Sequence, residues 1–200
     1  MSATPASFYF DLASPLAYLA AERILHTLPG PAEWQPVLAG ELCGGDDPDT
    51  FRCEHEREVF RTEIARRAEQ LHLQPLRWPE PFPFDSALAM RVATYAKSIG
   101  RTAPFAQAAF RQAFAGGRDL AQLDNVLIAA AACEMHPSAV ARGAELRGVR
   151  EQLAAATNDA INQSIKNVPA MLIGERVFEG ECCVEQAAAQ MTRESVGAAP

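Results

Sequence analysis

Ser14 and Pro15 lie where an apolar, strand-like run at residues 8–12 changes into a helical pattern. Ser14 has the side chain of a good helix N-cap, and Pro15 fits the first helical position because its missing N–H would have no partner there. The first turn of a helix has free N–H groups and the positive end of the helix dipole, and both stabilise an anion. The dipeptide therefore predicts a helix start that is either simply capped or holds an anion such as a thiolate.

The elements around Ser14 follow a strand-helix-strand order. Apolar residues recur with helical spacing over residues 15–28, a Pro-Gly-Pro sequence ends that helix, and residues 34–39 form a second strand-like run. Two strands joined by one helix are expected to be parallel, with a right-handed connection. The N-terminal part of the chain therefore predicts a βαβ unit.

The C-terminal part predicts a different motif. Residues 171–173 and 177–178 are apolar and are separated by a Gly-Glu-Arg turn, which is typical of a β-hairpin. Residues 184–191 predict a closing helix, and the small polar residues at 192–200 predict a loose tail.

Between these two parts the chain is rich in Ala, Arg and Glu with helical spacing of its apolar residues. The order β-α-β, then helices, then β-β-α is that of an α/β protein with a thioredoxin-like fold interrupted by an all-helical insertion. We predict a discontinuous thioredoxin-like domain at residues 1–45 and 158–200 and a helical insertion domain at residues 46–157.

The start of the first helix is the position at which thioredoxin-like disulfide oxidoreductases carry a reactive Cys-x-x-Cys motif. Here the four residues are Ser14-Pro15-Leu16-Ala17, and both sulfurs are missing. Dithiol chemistry at this position is excluded, whereas the geometry that stabilises a sulfur anion is kept. The sulfur could then come from a ligand.

A second dipeptide, Val168-Pro169, comes just before the predicted third strand. In a thioredoxin-like fold a cis proline at this place faces the start of the first helix, and a cis X-Pro bond is uncommon enough to need a reason. The residue before such a proline can offer its backbone N–H and C=O to an extended thiol peptide, as an added strand would. We therefore predict that Val168 and Ser14 form one thiol-binding site.

Composition and charge exclude several other classes. A net charge of -7 and dispersed arginines argue against nucleic acid as a partner. The longest apolar run, residues 126–133, is too short to cross a membrane, and the N-terminus lacks an export signal, which predicts a cytoplasmic protein. The five cysteines show no Cys-x-x-Cys and predict free thiols, and no spacing predicts a metal site.

Four segments together resemble a known family: FYFDLASPLAYLAAERI, RWPEPFPFDSALAMR, AFRQAFAGGRDL and NVPAMLIGERVFEG. They are similar to the glutathione-dependent 2-hydroxychromene-2-carboxylate isomerases and the related kappa-class glutathione transferases, over nearly the whole chain. The resemblance implies a homodimer that uses glutathione or another low-molecular-weight thiol and a small electrophilic substrate.

The resemblance also implies roles for particular residues. Ser14 would be catalytic, and the thiol would be bound by Ser14, Val168, Pro169, Glu179, Gly180, Glu181 and Cys182. The substrate would be bound by Trp78, Phe84 and Asp85. No metal is implied.

The implied reaction is an isomerisation without net redox change. Ser14 would donate its hydroxyl to the sulfur and, with the helix start, favour the thiolate. The thiolate would add to a conjugated double bond, rotation would follow about the bond that has become single, and elimination would release the isomer.

The chain departs from the family pattern at three places. The family's substrate-binding lysine falls at about Gly44, and its asparagine in the Phe-Pro loop is replaced by Asp85. The tryptophan-glycine-polar-aspartate segment that holds the γ-glutamyl end of glutathione is replaced by residues 179–182, Glu-Gly-Glu-Cys. Glu181 or Glu185 could bind the ammonium group instead, and Arg52 or Arg77 could anchor an acid if they are not merely solvated.

Several alternatives stay open on the sequence alone. The chain could be a kappa-type transferase, a non-catalytic thiol- or peptide-binding protein, or an oxidoreductase that works through Cys182 and Cys183. The aromatic residues Trp78, Phe82 and Phe84 could form a wall for a flat ligand or fill the seam between the two subdomains.

Overall fold

The structure is a computed structural model that describes residues 5–42 and 53–197. Its sheet has four strands in the order β2-β1-β3-β4. The strands are β1 (Ala6–Phe10), β2 (Ala32–Pro36), β3 (Ala170–Ile173) and β4 (Arg176–Glu179). β1 is parallel to β2 and antiparallel to β3, so that Phe8 lies opposite both Trp34 and Met171.

The helices enclose this sheet and fill the interval between β2 and β3. Over the described residues they are α1 (Pro15–Thr27), α2 (Ala39–Leu42), α3 (Glu54–Gln70), α4 (Ala87–Ser98), α5 (Thr102–Phe114), α6 (Leu123–Ala131), α7 (Pro137–Glu145), α8 (Arg147–Asn162) and α9 (Cys183–Gly197). None of these described helices is both long enough and apolar enough to span a membrane.

The alternation of side chains along β1 explains why the sheet is covered on both faces. Phe8 and Phe10 are fully buried on one face in the larger core cluster, together with residues of α1, α5 and α9. Tyr9 points to the other face and joins a smaller cluster with Val168 and with Ala160 of α8. Each buried Phe contributes about 1.5–3 kcal/mol to folding, so β1 is anchored firmly beside Ser14.

The predicted fold class is confirmed, including the parallel β1–β2 pair, the β3–β4 hairpin and the helical insertion between β2 and β3. The prediction of a loose tail is wrong for residues 192–197, because α9 continues to Gly197. Its polar side chains bond within the helix: Gln190 donates to Glu194 at 2.7 Å and Ser195 donates to the Met191 carbonyl at 2.9 Å.

The predicted division into two domains stays a prediction. Its first boundary, at residues 45 and 46, lies outside the described residues. The second boundary, at residues 157 and 158, falls inside α8, which ends only at Asn162. Thr157 itself ties α8 to the loop after β2, since its Oγ1 accepts the backbone N–H of Leu38 at 3.1 Å.

Candidate functional site

Ser14 caps α1, as predicted. Its backbone is extended, with φ of -86° and ψ of 113°, and its Oγ accepts the backbone N–H of Ala17 at 3.2 Å. Because this bond uses a lone pair of Oγ, the hydroxyl proton can still be donated to a ligand. Pro15 has no N–H, so Leu16 is the first-turn residue whose N–H has no partner within the part of the chain that the structure describes. The cap and an anion-binding role are therefore compatible.

Asp11 holds the loop on which Ser14 sits, and it is 3% exposed. Its carboxylate accepts the Ala13 N–H at 2.9 Å, the Ala39 N–H at 3.0 Å and the Ser86 hydroxyl at 3.0 Å, while its carbonyl accepts the Ser14 N–H at 3.1 Å. One buried carboxylate thus joins the end of β1, the start of α2 and the start of α4. Sequence reasoning did not select Asp11, although an acidic residue closing an apolar strand was a visible signal.

The Val168-Pro169 peptide bond is cis, as predicted. Val168 is 8% exposed, and its N–H has no hydrogen-bond partner among the described residues. The Pro169 carbonyl accepts the Gly180 N–H at 2.9 Å, which ties this loop to the end of β4. The N–H of Val168 is therefore available to a ligand.

Glu179 fixes the loop that leads to Val168. One of its carboxylate oxygens, Oε1, accepts the backbone N–H of Lys166 at 2.6 Å and that of Asn167 at 2.9 Å. Hydrogen bonds to a charged acceptor are among the stronger ones in proteins. Glu179 therefore positions the loop that leads to Val168, a role that no local pattern in the sequence indicates.

Ser14 and Val168 line the same cavity, whose volume is about 430 Å³. Its described walls come from the loops after β1, β2 and β4, from α3, and from the loops before α4 and β3: Asp11, Ala13, Ser14, Leu16, Ala39, Gly40, Phe60, Pro83, Phe84, Ser86, Asn167, Val168, Glu179 and Gly180. Five of the predicted site residues therefore meet here, namely Ser14, Phe84, Val168, Glu179 and Gly180.

The other predicted site residues lie outside this lining. Trp78 packs against Phe82 and Phe114, with ring centroids 4.8 and 6.0 Å away, so it lies in an aromatic cluster within the helical insertion. Asp85 is exposed and accepts the Ala87 N–H at 2.9 Å at the start of α4. The Pro169 carbonyl is bonded to Gly180.

The acidic residues after β4 are paired with arginines. Glu181 binds Arg67 at 2.6 Å, and Glu185 binds Arg23 at 2.5 Å. Arg23 also donates to the Glu181 carbonyl at 2.6 Å. Arg77 is exposed and does not line the cavity, whereas Gly44 and Arg52 lie outside the described residues.

The adjacent cysteines differ in exposure. Cys182 is exposed, whereas Cys183 is fully buried at the start of α9. Burial raises the pKa of the Cys183 thiol to about 12, despite the opposing effect of the Arg23 charge. Cys183 is therefore held as a neutral thiol at neutral pH.

A second cavity, of about 530 Å³, lies between β2, α4 and α8. Several of its polar side chains bond to one another or to neighbours: the Tyr9 hydroxyl donates to Gln163 at 2.6 Å, and Lys97 binds Glu33 at 2.9 Å. The smaller cavity is the better candidate site, because it carries the donors that lack partners among the described residues.

The smaller cavity fits only some of the groups that the sequence resemblance implies. A thiolate fits the start of α1, where the Ser14 hydroxyl and the Leu16 N–H are available to it. The carboxylates of glutathione do not fit, since Asp11 and Glu179 are the charged residues in the described lining. The described residues contain no group of three or more His, Cys, Asp or Glu placed to hold a metal ion.

Comparison with known proteins gives one family. The model of the DsbA-like thioredoxin domain matches residues 7–192. No curated protein sequence matches.

Solved structures share the fold. A 2-hydroxychromene-2-carboxylate isomerase has a TM-score of 0.84 at 17% identity, with 98% of this chain and 99% of that chain covered. The cytosolic disulfide reductase DsbM from Pseudomonas aeruginosa with GSH has a TM-score of 0.62 at 12% identity, covering 96% and 98%. DsbA from the same organism has a TM-score of 0.60 at 13% identity, covering 98% and 90%. At these identities the similarity shows the fold alone, and it confirms the resemblance predicted from the sequence at that level.

Proposed function

Because this chain belongs to the family of DsbA-like thioredoxin domains and has Ser14 and Ala17 at the two cysteine positions, we propose that it is an isomerase that takes its sulfur from a bound low-molecular-weight thiol. The reaction class follows the structure with the same fold that is named a 2-hydroxychromene-2-carboxylate isomerase. The resemblance in the sequence implies the isomerisation of a conjugated double bond. The thiol cofactor and the electrophile are its small-molecule partners.

The observation that carries this proposal is the shared cavity of Ser14 and Val168. The Ser14 hydroxyl and two backbone N–H groups without partners among the described residues, those of Leu16 and Val168, belong to residues that line one space of about 430 Å³. Such a set of donors stabilises an anion better than it stabilises a neutral group. It suits a thiolate that the chain itself does not supply.

A bound thiol supplies a nucleophile that can add reversibly to a conjugated double bond and so permit rotation about it. Ser14 holds the sulfur and favours its ionised form by donating its hydroxyl proton. Val168 orients the thiol through its backbone N–H. Phe60, Pro83 and Phe84 provide an apolar wall for a flat conjugated substrate and limit its contact with water.

The direct test is the Ser14→Ala variant, with Ser14→Thr as the matched control that keeps a hydroxyl and a capping side chain. We expect Ser14→Ala to lower thiol-dependent isomerisation of 2-hydroxychromene-2-carboxylate by about 100-fold, the usual effect of removing one anion-stabilising donor. Ser14→Thr should retain much of the activity. Unchanged turnover in Ser14→Ala would overturn the proposal.

A homodimer in the cytoplasm is part of the same proposal. Its support is the resemblance in the sequence and five cysteines without a Cys-x-x-Cys pair, which suit a reducing compartment. Light scattering of the purified protein measures the assembly, and a monomer at micromolar concentration would contradict it.

A further inference from the structure

We infer that the thiol bound beside Ser14 carries no free carboxylate and is a cysteine derivative with amide or ammonium groups instead. This inference rests on the proposed function and names the class of thiol for it. Its basis is the charge of the cavity: Asp11 and Glu179 line it, and no Lys, Arg or His does so among the described residues. A ligand carboxylate would meet like charge there and no cation of the described lining.

Three arginines outside the lining contact other side chains of the protein. Arg67 is paired with Glu63 at 2.9 Å and with Glu181 at 2.6 Å, and Arg23 is paired with Glu185 at 2.5 Å. Arg61 lies over the rings of Trp78 and Phe82, 5.4 and 6.0 Å from their centroids, and is not part of the lining. These guanidinium groups serve acidic or aromatic side chains of the protein itself.

Backbone recognition still requires a peptide-like thiol. The N–H of Val168, which has no partner among the described residues, can pair with an amide carbonyl of the ligand, as an added strand does. An amide meets this need without adding negative charge. A cysteine amide therefore satisfies both the backbone group and the electrostatics of the cavity.

Three ligands with nearly the same shape test the inference: cysteinamide, which is cationic, N-acetylcysteinamide, which is neutral, and N-acetylcysteine, which is anionic. Dissociation constants are measured by calorimetric titration at low salt, where charge effects are largest, and are corrected for the thiolate fraction of each free thiol. We expect affinity to fall by about threefold to tenfold at each step from cation to anion. Glutathione should bind no better than N-acetylcysteine.

The Glu179→Gln variant removes one charge of the cavity while it keeps the oxygen that binds the N–H groups of Lys166 and Asn167. It should raise the affinity for N-acetylcysteine by about threefold to tenfold relative to N-acetylcysteinamide. Glu175→Gln is the matched control, because Glu175 lies exposed in the β3–β4 turn and away from the cavity. It should leave the ratio of the two affinities unchanged.

The outcomes separate this inference from the proposed function. Equal affinities for the three ligands, or tighter binding of N-acetylcysteine or glutathione, would overturn the inference and leave the thiol-dependent function standing. If none of the four thiols binds at millimolar concentration, the proposed function itself fails. A ratio that moves equally in Glu179→Gln and Glu175→Gln would also overturn the inference, because the effect would then belong to net charge and not to the cavity.

Discussion

The starts of α1 and α9 place Ser14 and Cys183 in opposite surroundings. α1 begins after Ser14, whose hydroxyl faces a cavity of about 430 Å³. α9 begins at Cys183, which has a sulfur in place but is fully buried in the main apolar cluster. Cys183 has a sulfur but lacks access to a reactant, whereas Ser14 has access but lacks the sulfur.

The pKa of Cys183 shows which physical effect decides. Burial raises this pKa more strongly than the charge of Arg23 and the backbone hydrogen bonds at the helix start lower it, and the result is about 12. A helix start therefore produces a thiolate only where solvent or donors also reach the sulfur. This is why Ser14, and not the Cys182-Cys183 pair, marks the candidate site.

The largest expected effect comes from placing a sulfur at the accessible helix start. In the Ser14→Cys variant, we expect iodoacetamide to alkylate the introduced thiol at least about 100-fold faster than Cys183 at pH 7.5, because only the accessible thiol ionises appreciably. Peptide mass spectrometry follows each site, with the exposed Cys182 as an internal reference. Similar rates at Cys183 and the introduced thiol would show that the comparison between the helix starts is wrong.

A smaller effect follows from a polar substitution at the buried start. Cys183→Ser should lower the free energy of unfolding by about 1–3 kcal/mol, since a hydroxyl replaces a thiol in an apolar cluster. Cys182→Ser is the control and should change it by less than about 0.5 kcal/mol, because that side chain is exposed. Urea denaturation measures both, and equal losses in the two variants would argue against the burial difference.

Alkaline pH should reveal the neutral state of Cys183. The pKa of Cys183 in the folded protein, about 12, lies above the ordinary value of 9.0. The contribution of this thiol to the free energy of unfolding is therefore constant below pH 9. It falls as pH rises from 9 towards 12, because the thiol then loses its proton in the unfolded state but keeps it in the folded state. Between pH 9 and 10 the unfolding free energy should fall by up to about 1.4 kcal/mol more in the native protein than in Cys183→Ala. Urea denaturation under anaerobic conditions tests this, and parallel pH profiles would contradict it.

The smallest expected effect is the loss of stability on substitution of Ser14 at the start of α1. Ser14→Ala removes the 3.2 Å bond from the Ala17 N–H and should lower the free energy of unfolding by about 1 kcal/mol or less. Ser14→Thr should keep most of that stability. A stability loss well above about 2 kcal/mol, the upper end for a lost cap, would mean that Ser14 acts mainly as a structural residue, and its effect on turnover would then need separate proof.

Much of the fold was predictable because it rests on local patterns. The apolar residues of β1, the Ser-Pro start of α1 and the β3–β4 turn each depend on a few neighbouring residues. The end of α9 was not predicted, because polar residues there suggested a loop, whereas in the structure Gln190 bonds to Glu194 and Ser195 bonds to the Met191 carbonyl within the helix. The resemblance implied that Glu179 binds a ligand. Its hydrogen bonds to the N–H groups of Lys166 and Asn167 were not predicted, because they join residues 12 and 13 positions apart in the sequence.

By itself, the sequence determined that the chain has no sulfur at the start of its first helix, and it predicted a cis proline at Val168-Pro169. Only the tertiary structure decided that Ser14 and Val168 line one cavity and that Asp11 and Glu179 are the charged residues of its described lining. It also decided that Cys183 is fully buried and does not line this cavity. The reason is physical: helix starts and strand patterns are encoded by adjacent residues, whereas charge and burial at a site depend on chain segments far apart in sequence.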